Sequence, residues 1–193
     1  MKKTALIMVD VMEAFFNPQG SSFYPEALSV LPNILQVLKA ARDNANFIVH
    51  AVERHYPGVA DDELKRLPPH CVIGTLDCEY TKGADPQLND NEIEIPKRRF
   101  SSFMGTDLDL VLRAQKIERV VIVGVKTNVC IRATAQDAFA YGYEVVVPID
   151  CSNSNRPHLA SASFEDIARY MGSTPTLAET LKLLQTDLTT DGQ

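Results

Sequence analysis

The fold is decided by residues 119–139, which read RVVIVGVKTNVCIRATAQDAF. Residues 120–123 are a β-branched run of the kind found in fully buried parallel strands. Gly124 interrupts this run, and an alanine-rich stretch typical of a helix follows, with Thr127 or Asn128 as its predicted N-cap. The segment therefore predicts a strand, a tight turn and a helix.

This pattern places Cys130 in the first turn of the predicted helix. The unpaired N–H groups and the positive dipole end of a helix favour a thiolate there, and thus a reactive cysteine. A free cysteine is also often a small buried hydrophobic residue. The segment alone leaves both interpretations open.

Strand and helix patterns alternate along the rest of the chain, which predicts a single α/β domain over residues 1–185 and a frayed tail over 186–193. We expect a doubly wound, three-layer α/β/α sandwich with a mostly parallel central sheet. The other predicted strands are Ala5–Asp10, Phe47–Val52, Glu92–Ile95 and Glu144–Pro148, and the other predicted helices are one that begins at Pro25, Thr106–Gln115, Ser161–Met171 and Leu177–Leu184.

Composition excludes several functional classes. The chain has 193 residues, of which 45% are hydrophobic and 23% charged, as expected for one globular domain. Its net charge of -6, without a basic run, argues against nucleic-acid binding. No segment is long and apolar enough to predict a membrane span, and the four cysteines form no CxxC pair or secreted-type framework, so a reduced, cytoplasmic protein is expected.

Polar residues follow three of the predicted strands, where parallel sheets bind ligands. Asp10 ends the first strand, Lys97 follows the third, and Cys130 lies in the turn after the fourth. A thiol nucleophile needs a base and charge support, which Asp10 and Lys97 would supply. Taken singly, however, Asp10 is better interpreted as a strand-ending turn residue and Lys97 as a surface cation.

Three motifs in this order resemble the isochorismatase-like cysteine hydrolases. They are Asp-x-x-x-x-Phe at Asp10–Phe15, Lys-x-x-x-Ser-x-Phe at Lys97–Phe103, and GVKTNVC with the following Thr-Ala and Asp-Ala pairs at 124–138. This superfamily includes nicotinamidases, N-carbamoylsarcosine amidohydrolases, and ureidoacrylate and biuret hydrolases. The resemblance runs from Thr4 to Gly172.

The resemblance implies a Cys–Asp–Lys triad that hydrolyses a linear C–N bond. Cys130 would attack an amide, ureido or carbamoyl carbon, and Asp10 would take the thiol proton and pass it to the leaving amine. Lys97 would favour the charged forms of both. The resemblance also implies a cis peptide at Val125–Lys126 and an oxyanion hole formed by the backbone N–H groups of Lys126 and Cys130.

Lys126 departs from the family pattern, in which this position is usually small or hydroxylic. Its head group either reaches solvent or lines the pocket and binds a substrate carboxylate. Phe15 and Phe103 are the other predicted substrate contacts, and Phe100 is a further aromatic candidate.

A metal site is a second prediction. Glu53 and His55 share one face of an extended chain, and His70 is a third ligand that leaves positions for water or substrate. Metal-binding relatives carry Asp-x-His, so Glu53 is longer by one methylene. The resemblance requires no cofactor. Glu53, His55 and His70 either bind a divalent metal such as zinc or order the loop through hydrogen bonds. We interpret His50 and His158 as structural.

The leading functional prediction is therefore hydrolysis of a C–N bond in a small molecule by a homo-oligomeric enzyme, without a nucleic-acid or membrane partner. Two alternatives stay open. One is vinyl-ether hydrolysis of the isochorismatase type, which does not need the thiol. The other is a non-catalytic or redox-responsive binding protein on the same scaffold.

Overall fold

The computed structural model describes residues 2–185, so the predicted frayed tail lies outside the described residues. Strands and helices alternate along the chain. The strands are β1 Thr4–Val9, β2 Phe47–Glu53, β3 Glu92–Lys97, β4 Arg119–Val125, β5 Glu144–Val146, β6 Ser152–Asn153 and β7 Gly172–Ser173. The helices are α1 Glu13–Phe16, α2 Ala27–Asp43, α3 Asp62–Arg66, α4 Leu108–Ala114, α5 Arg132–Ala140, α6 Pro157–Tyr170 and α7 Leu177–Gln185.

The strands form one sheet in the order β3-β2-β1-β4-β5-β7, with β6 paired to the end of β4. Every strand pair is parallel, as expected for buried β-branched strands connected by helices. The chain adds β2 and β3 on one side of β1 and the later strands on the other side, so the strand order reverses between β1 and β4. In doubly wound sheets ligands bind at this point, beyond the carboxyl ends of the strands.

Helices cover both faces of the sheet, which confirms the predicted three-layer sandwich. On one face, Leu6 and Met8 of β1 belong to a core shared with α2 and α7. On the other face, Ala5, Ile7 and Val9 of the same strand belong to a core shared with α4, α5 and α6. Each residue of β1 is buried, so this strand holds the next residue, Asp10, in a fixed position.

The helix after β4 differs from its prediction. Thr127–Ile131 form a π-helical turn, and α5 begins only at Arg132. Thr127 does not cap the helix because β6 pairs with β4 there, and the Thr127 hydroxyl is hydrogen-bonded to Ser152 Oγ at 2.7 Å. Cys130 therefore lies in the turn before the helix. Within the described residues, no helix is long and apolar enough to cross a membrane.

Candidate active site

Asp10 lies directly after the central strand, at the point where the sheet order reverses. Its φ of 55° is left-handed, a conformation that Asp tolerates better than most residues. The Asp10 N–H donates to the Ala51 carbonyl at 2.9 Å, and Oδ1 accepts from the Glu53 N–H at 2.9 Å. Two backbone contacts with β2 thus fix a carboxylate that is completely buried.

Lys97 ends β3 and brings its ammonium group to Asp10 and Cys130. Nζ lies 2.9 Å from Asp10 Oδ2 and donates to Cys130 Sγ at 3.6 Å and to the Arg99 carbonyl at 3.2 Å. Burial alone would lower the pKa of Lys97, but the charges of Asp10, Cys130 and Glu53 raise it well above its usual value. These neighbours therefore favour the charged form of Lys97 inside the protein.

The turn that carries Cys130 requires glycine at its start. Gly124 has a φ of +120°, and a Cβ atom there would lie 2.0 Å from the Val9 carbonyl oxygen. The chain then passes through a cis peptide between Val125 and Lys126, as the resemblance implies. This path brings the Cys130 sulfur from β4 to the ammonium group of Lys97, beside the end of β1.

The motif residues after Lys97 fasten its loop to α5. Ser101 Oγ donates to Asp137 Oδ2 at 2.5 Å, and the Ser102 N–H donates to Thr134 Oγ1 at 3.0 Å. The loop after β3 and the helix after the cysteine are therefore held together by the same residues that form the family pattern.

Burial decides the charge states of the triad. It raises the pKa of Asp10 to about 6, although the charge of Lys97 acts in the opposite direction. Burial also raises the pKa of the Cys130 thiol well above its usual value, although the charge of Lys97 lowers it. Burial and the charges of Asp10 and Glu53 therefore oppose the thiolate that the position of Cys130 after β4 predicts, whereas the charge of Lys97 favours it.

A cavity of about 380 Å³ opens above Cys130. Phe15, Phe100 and Lys126 line it together with Cys130. Phe103 does not; it is buried in the core, with its ring 5.3 Å from that of Tyr141. The structure thus brings three of the four predicted substrate contacts to the cavity, Phe100 among them, and places the fourth in the core. Three loops supply further lining residues that no sequence pattern indicated: Ser21, Ser22, Phe23, Leu67, Pro68 and Asn155.

The predicted metal ligands meet at one side of this cavity, and a fourth joins them. Nitrogen and oxygen atoms of Glu53, His55, Glu63 and His70 all lie within 4.8 Å of one another. Glu53 Oε1 lies 2.9 Å from His55 Nε2 and 3.0 Å from His70 Nε2. Glu63 was missed because it lies in a single-turn helix, α3, whose sequence has no periodic pattern that would indicate a buried carboxylate.

The outer contacts of the two histidines suit metal ligands. His55 Nδ1 lies 3.1 Å from Asp61 Oδ2, and His70 Nδ1 lies 2.8 Å from the Pro68 carbonyl. An acceptor on Nδ1 keeps the proton there and leaves Nε2 free to coordinate. Glu63 Oε1 is buried without a hydrogen-bond partner, 3.5 Å from His70 Nε2. The donor set therefore fits a divalent metal ion.

Protons are the alternative occupants of this cluster. Burial lowers the pKa of His70, but the carboxylates of Glu53 and Glu63 outweigh it and raise the value to about 10. Hydrogen bonds to Glu53 likewise raise the pKa of His55. Without a metal, the neighbouring carboxylates thus favour the charged forms of both histidines.

His50 and His158 lie outside the site. His50 Nε2 lies 2.7 Å from Glu92 Oε1 inside the sheet, and His158 is exposed in the first turn of α6. All four cysteines are free.

Comparison with known proteins gives one consistent family. The sequence model of the isochorismatase domain matches residues 4–180. The chain is 29% identical to a probable inactive nicotinamidase of Arabidopsis thaliana (92% of this chain, 94% of the relative). It is 27% identical to the maleamate amidohydrolase of Pseudomonas putida (95% and 88%). The crystal structure of the nicotinamidase PncA from Bacillus subtilis superimposes with a TM-score of 0.85 at 27% identity, covering 90% of this chain and 99% of that one.

Proposed function

The chain belongs to the isochorismatase family, and we propose that it hydrolyses a linear C–N bond of a small amide, ureido or carbamoyl compound, with Cys130 as the nucleophile. The observation that supports this most directly is the contact of one buried ammonium group with both other members of the triad. Lys97 Nζ lies 2.9 Å from Asp10 Oδ2 and 3.6 Å from Cys130 Sγ, and Cys130 lines the cavity.

The charge states give the order of the proton transfers. Asp10 is ionised at neutral pH, so it accepts the proton of Cys130 as the sulfur attacks the carbonyl carbon. Lys97 stabilises the negative charge that moves from Asp10 to sulfur. The C–N bond then breaks, the nitrogen takes the proton from Asp10, and an acyl thioester remains on Cys130.

Hydrolysis of the thioester reverses these roles. Asp10 takes a proton from water as the water attacks the thioester carbonyl, and the proton returns to the departing sulfur. The oxygen of each tetrahedral intermediate needs donors, and we assign these to the backbone N–H groups of Lys126 and Cys130. The products are a carboxylic or carbamic acid and an amine or ammonia.

Glu53, His55, Glu63 and His70 would hold a divalent metal such as zinc at the side of the cavity. Bound there, the ion would act as a Lewis acid toward a substrate atom or orient it. Glu53, Glu63 and His70 themselves form one wall of the cavity, where α3 and the loop of His70 meet.

The test is ammonia release from a panel of nicotinamide, carbamoylated amino acids, biuret, ureidoacrylate and maleamate. We expect release from at least one compound and its loss in Cys130→Ala, with the fold of the variant checked by circular dichroism. Cys151→Ala is the matched control, because Cys151 is a buried free thiol outside the cavity.

Two results would contradict the proposal. Absence of release from every compound would favour a binding protein on this scaffold. Equal ammonia release by Cys130→Ala and wild type would show that the C–N bond is hydrolysed without the thiol.

A further inference from the structure

The cavity lining carries charged groups of both signs, and Glu53, Glu63 and His70 pair with one another there. Its carboxylates have partners within the protein: Glu53 faces two histidines, and Glu63 lies 3.5 Å from His70 Nε2. Lys126 differs. Among residues 2–185, no carboxylate lies within ion-pair distance of its ammonium group and no hydrogen-bond acceptor is found for it, although an ammonium group has three N–H donors.

Aromatic rings hold this ammonium group in place. Lys126 Nζ lies 5.0 Å from the centre of the Tyr24 ring and 6.0 Å from that of Phe15. Both rings are buried, and the Tyr24 hydroxyl donates to Asn153 Oδ1 at 2.8 Å. The rings attract the cation through their faces, but they accept none of its conventional hydrogen bonds. The donors therefore stay available for a ligand.

The surroundings of Lys126 favour an anion. Its side chain is half-buried, and this burial together with the charge of Arg156 lowers its pKa. A carboxylate bound at Nζ would offset both effects, because it would supply the missing negative charge and accept the N–H groups.

We propose that Lys126 binds a carboxylate of the substrate, so that the preferred substrates are short acids with an amide or carbamoyl group at the other end. Monoamides of dicarboxylic acids and N-carbamoyl amino acids have this form. The inference rests on the proposed C–N hydrolysis and identifies its substrate class.

The same residue limits the length of the substrate. The Lys126 backbone N–H is assigned to the oxyanion of the reacting carbonyl, while its side chain is assigned to the carboxylate. Both ends of the substrate therefore lie within the reach of one residue. A cavity of about 380 Å³ is at the small end of the range for ligand pockets, which also favours a short molecule.

The test compares two primary amides of equal chain length, succinamate and butyramide, which differ by a carboxylate in place of a methyl group. We expect Lys126→Met to raise KM for succinamate by about 10- to 100-fold, the range for loss of a hydrogen bond to a charged group. The fall in kcat/KM caused by Lys126→Met should be at least about 10-fold larger for succinamate than for butyramide, which has no carboxylate.

Two further variants separate charge from general damage. Lys126→Arg keeps the cation and should recover most of the affinity for succinamate. Lys39→Met is the matched control, because Lys39 is an exposed lysine of α2 that pairs with Asp43 on the surface. It should change neither substrate's kinetics.

Equal losses on both substrates in Lys126→Met, or equal kcat/KM of wild type for both, would overturn the inference and leave C–N hydrolysis intact. If wild type releases ammonia from neither amide nor from any compound of the earlier panel, the proposed function fails, and a binding measurement decides the inference separately. Succinate should then protect Cys130 from iodoacetamide in wild type but not in Lys126→Met, as followed by mass spectrometry; lack of protection in wild type would refute carboxylate binding.

Discussion

Replacing Asp10 with asparagine separates the reactivity of the Cys130 thiol from catalysis. The substitution keeps the shape of the side chain, and asparagine tolerates the left-handed φ of 55° as well as aspartate does. The amide oxygen still accepts the N–H of Glu53, which Asp10 Oδ1 accepts at 2.9 Å. Only the negative charge and the proton acceptor are lost.

The distances around Lys97 predict two opposite effects. In wild type, the charge of Lys97 is shared between Asp10 Oδ2 at 2.9 Å and Cys130 Sγ at 3.6 Å. A full thiolate at 3.6 Å attracts a unit cation by about 4 to 5 kcal/mol at an effective dielectric of about 20. With Asp10 neutral, nothing in the triad opposes this attraction, so the pKa of Cys130 should fall. Without the base, turnover should fall by about 10²- to 10⁴-fold.

The assay measures both quantities on the same protein. Alkylation of Cys130 by iodoacetamide is followed by mass spectrometry between pH 5 and pH 9, roughly the range in which thiols ionise in proteins, and ammonia release is measured at the same values. We expect Asp10→Asn to be alkylated at lower pH than wild type while releasing ammonia far more slowly. Cys71 and Cys151, which are fully buried, serve as internal references in each digest.

A second variant tests whether Lys97 causes the effect. Lys97→Met in the Asp10→Asn background removes the cation that stabilises the thiolate, so alkylation should return to higher pH. The reasoning is refuted if Asp10→Asn slows alkylation and turnover together, because Asp10 would then be needed to form the thiolate. It is also refuted if turnover is unchanged.

Three further predictions follow from the same contacts. The pKa of Asp10 is raised to about 6, and only the ionised carboxylate accepts a proton, so kcat/KM should rise with pH through about 6. A flat profile of kcat/KM from pH 5 to pH 7, about one unit on either side of this pKa, would exclude Asp10 as the base. Gly124→Ala should lower the free energy of unfolding in urea by more than about 4 kcal/mol, because its Cβ would lie 2.0 Å from the Val9 carbonyl oxygen. Gly142→Ala is the control: Gly142 has a φ of +89° but open space around it, so the free energy of unfolding should fall by only about 1 to 3 kcal/mol. Similar losses in the two variants would contradict the clash at Gly124. If a metal occupies the site, the divalent metal content of protein purified without added metal should fall in both His55→Ala and Glu63→Gln, and metal-free wild type would favour the protonated histidines.

The sequence predicted the sheet and the location of the site because these depend on local patterns. Apolar β-branched runs identify the buried strands, and parallel strands bring the residues that follow them to one edge of the sheet. Asp10, Lys97 and Cys130 come together for this reason. The start of α5 was predicted too early, because the hydroxyl of Thr127 pairs with Ser152, 25 residues further along the chain.

Contacts between loops could not be predicted in the same way. Phe103 belongs to the motif at Lys97, but its ring packs against Tyr141 and Tyr143 in the core. Tyr24 holds Lys126 from a loop that no pattern connects with the turn after β4. Such contacts depend on the three-dimensional path of long connections, and no periodicity in the sequence indicates them.

Glu53 shows how one additional methylene joins the two parts of the site. Its Oε1 contacts both histidines of the metal-type cluster, while Oε2 lies 3.8 Å from Lys97 Nζ and its backbone N–H donates to Asp10. The pKa of Glu53 is held well below its usual value because Lys97 and the two histidines outweigh the cost of burial, so the carboxylate stays ionised. The ionised carboxylate of Glu53 therefore contacts the histidines of the metal-type cluster on one side and Lys97 on the other, and joins the cluster to the residues around Cys130.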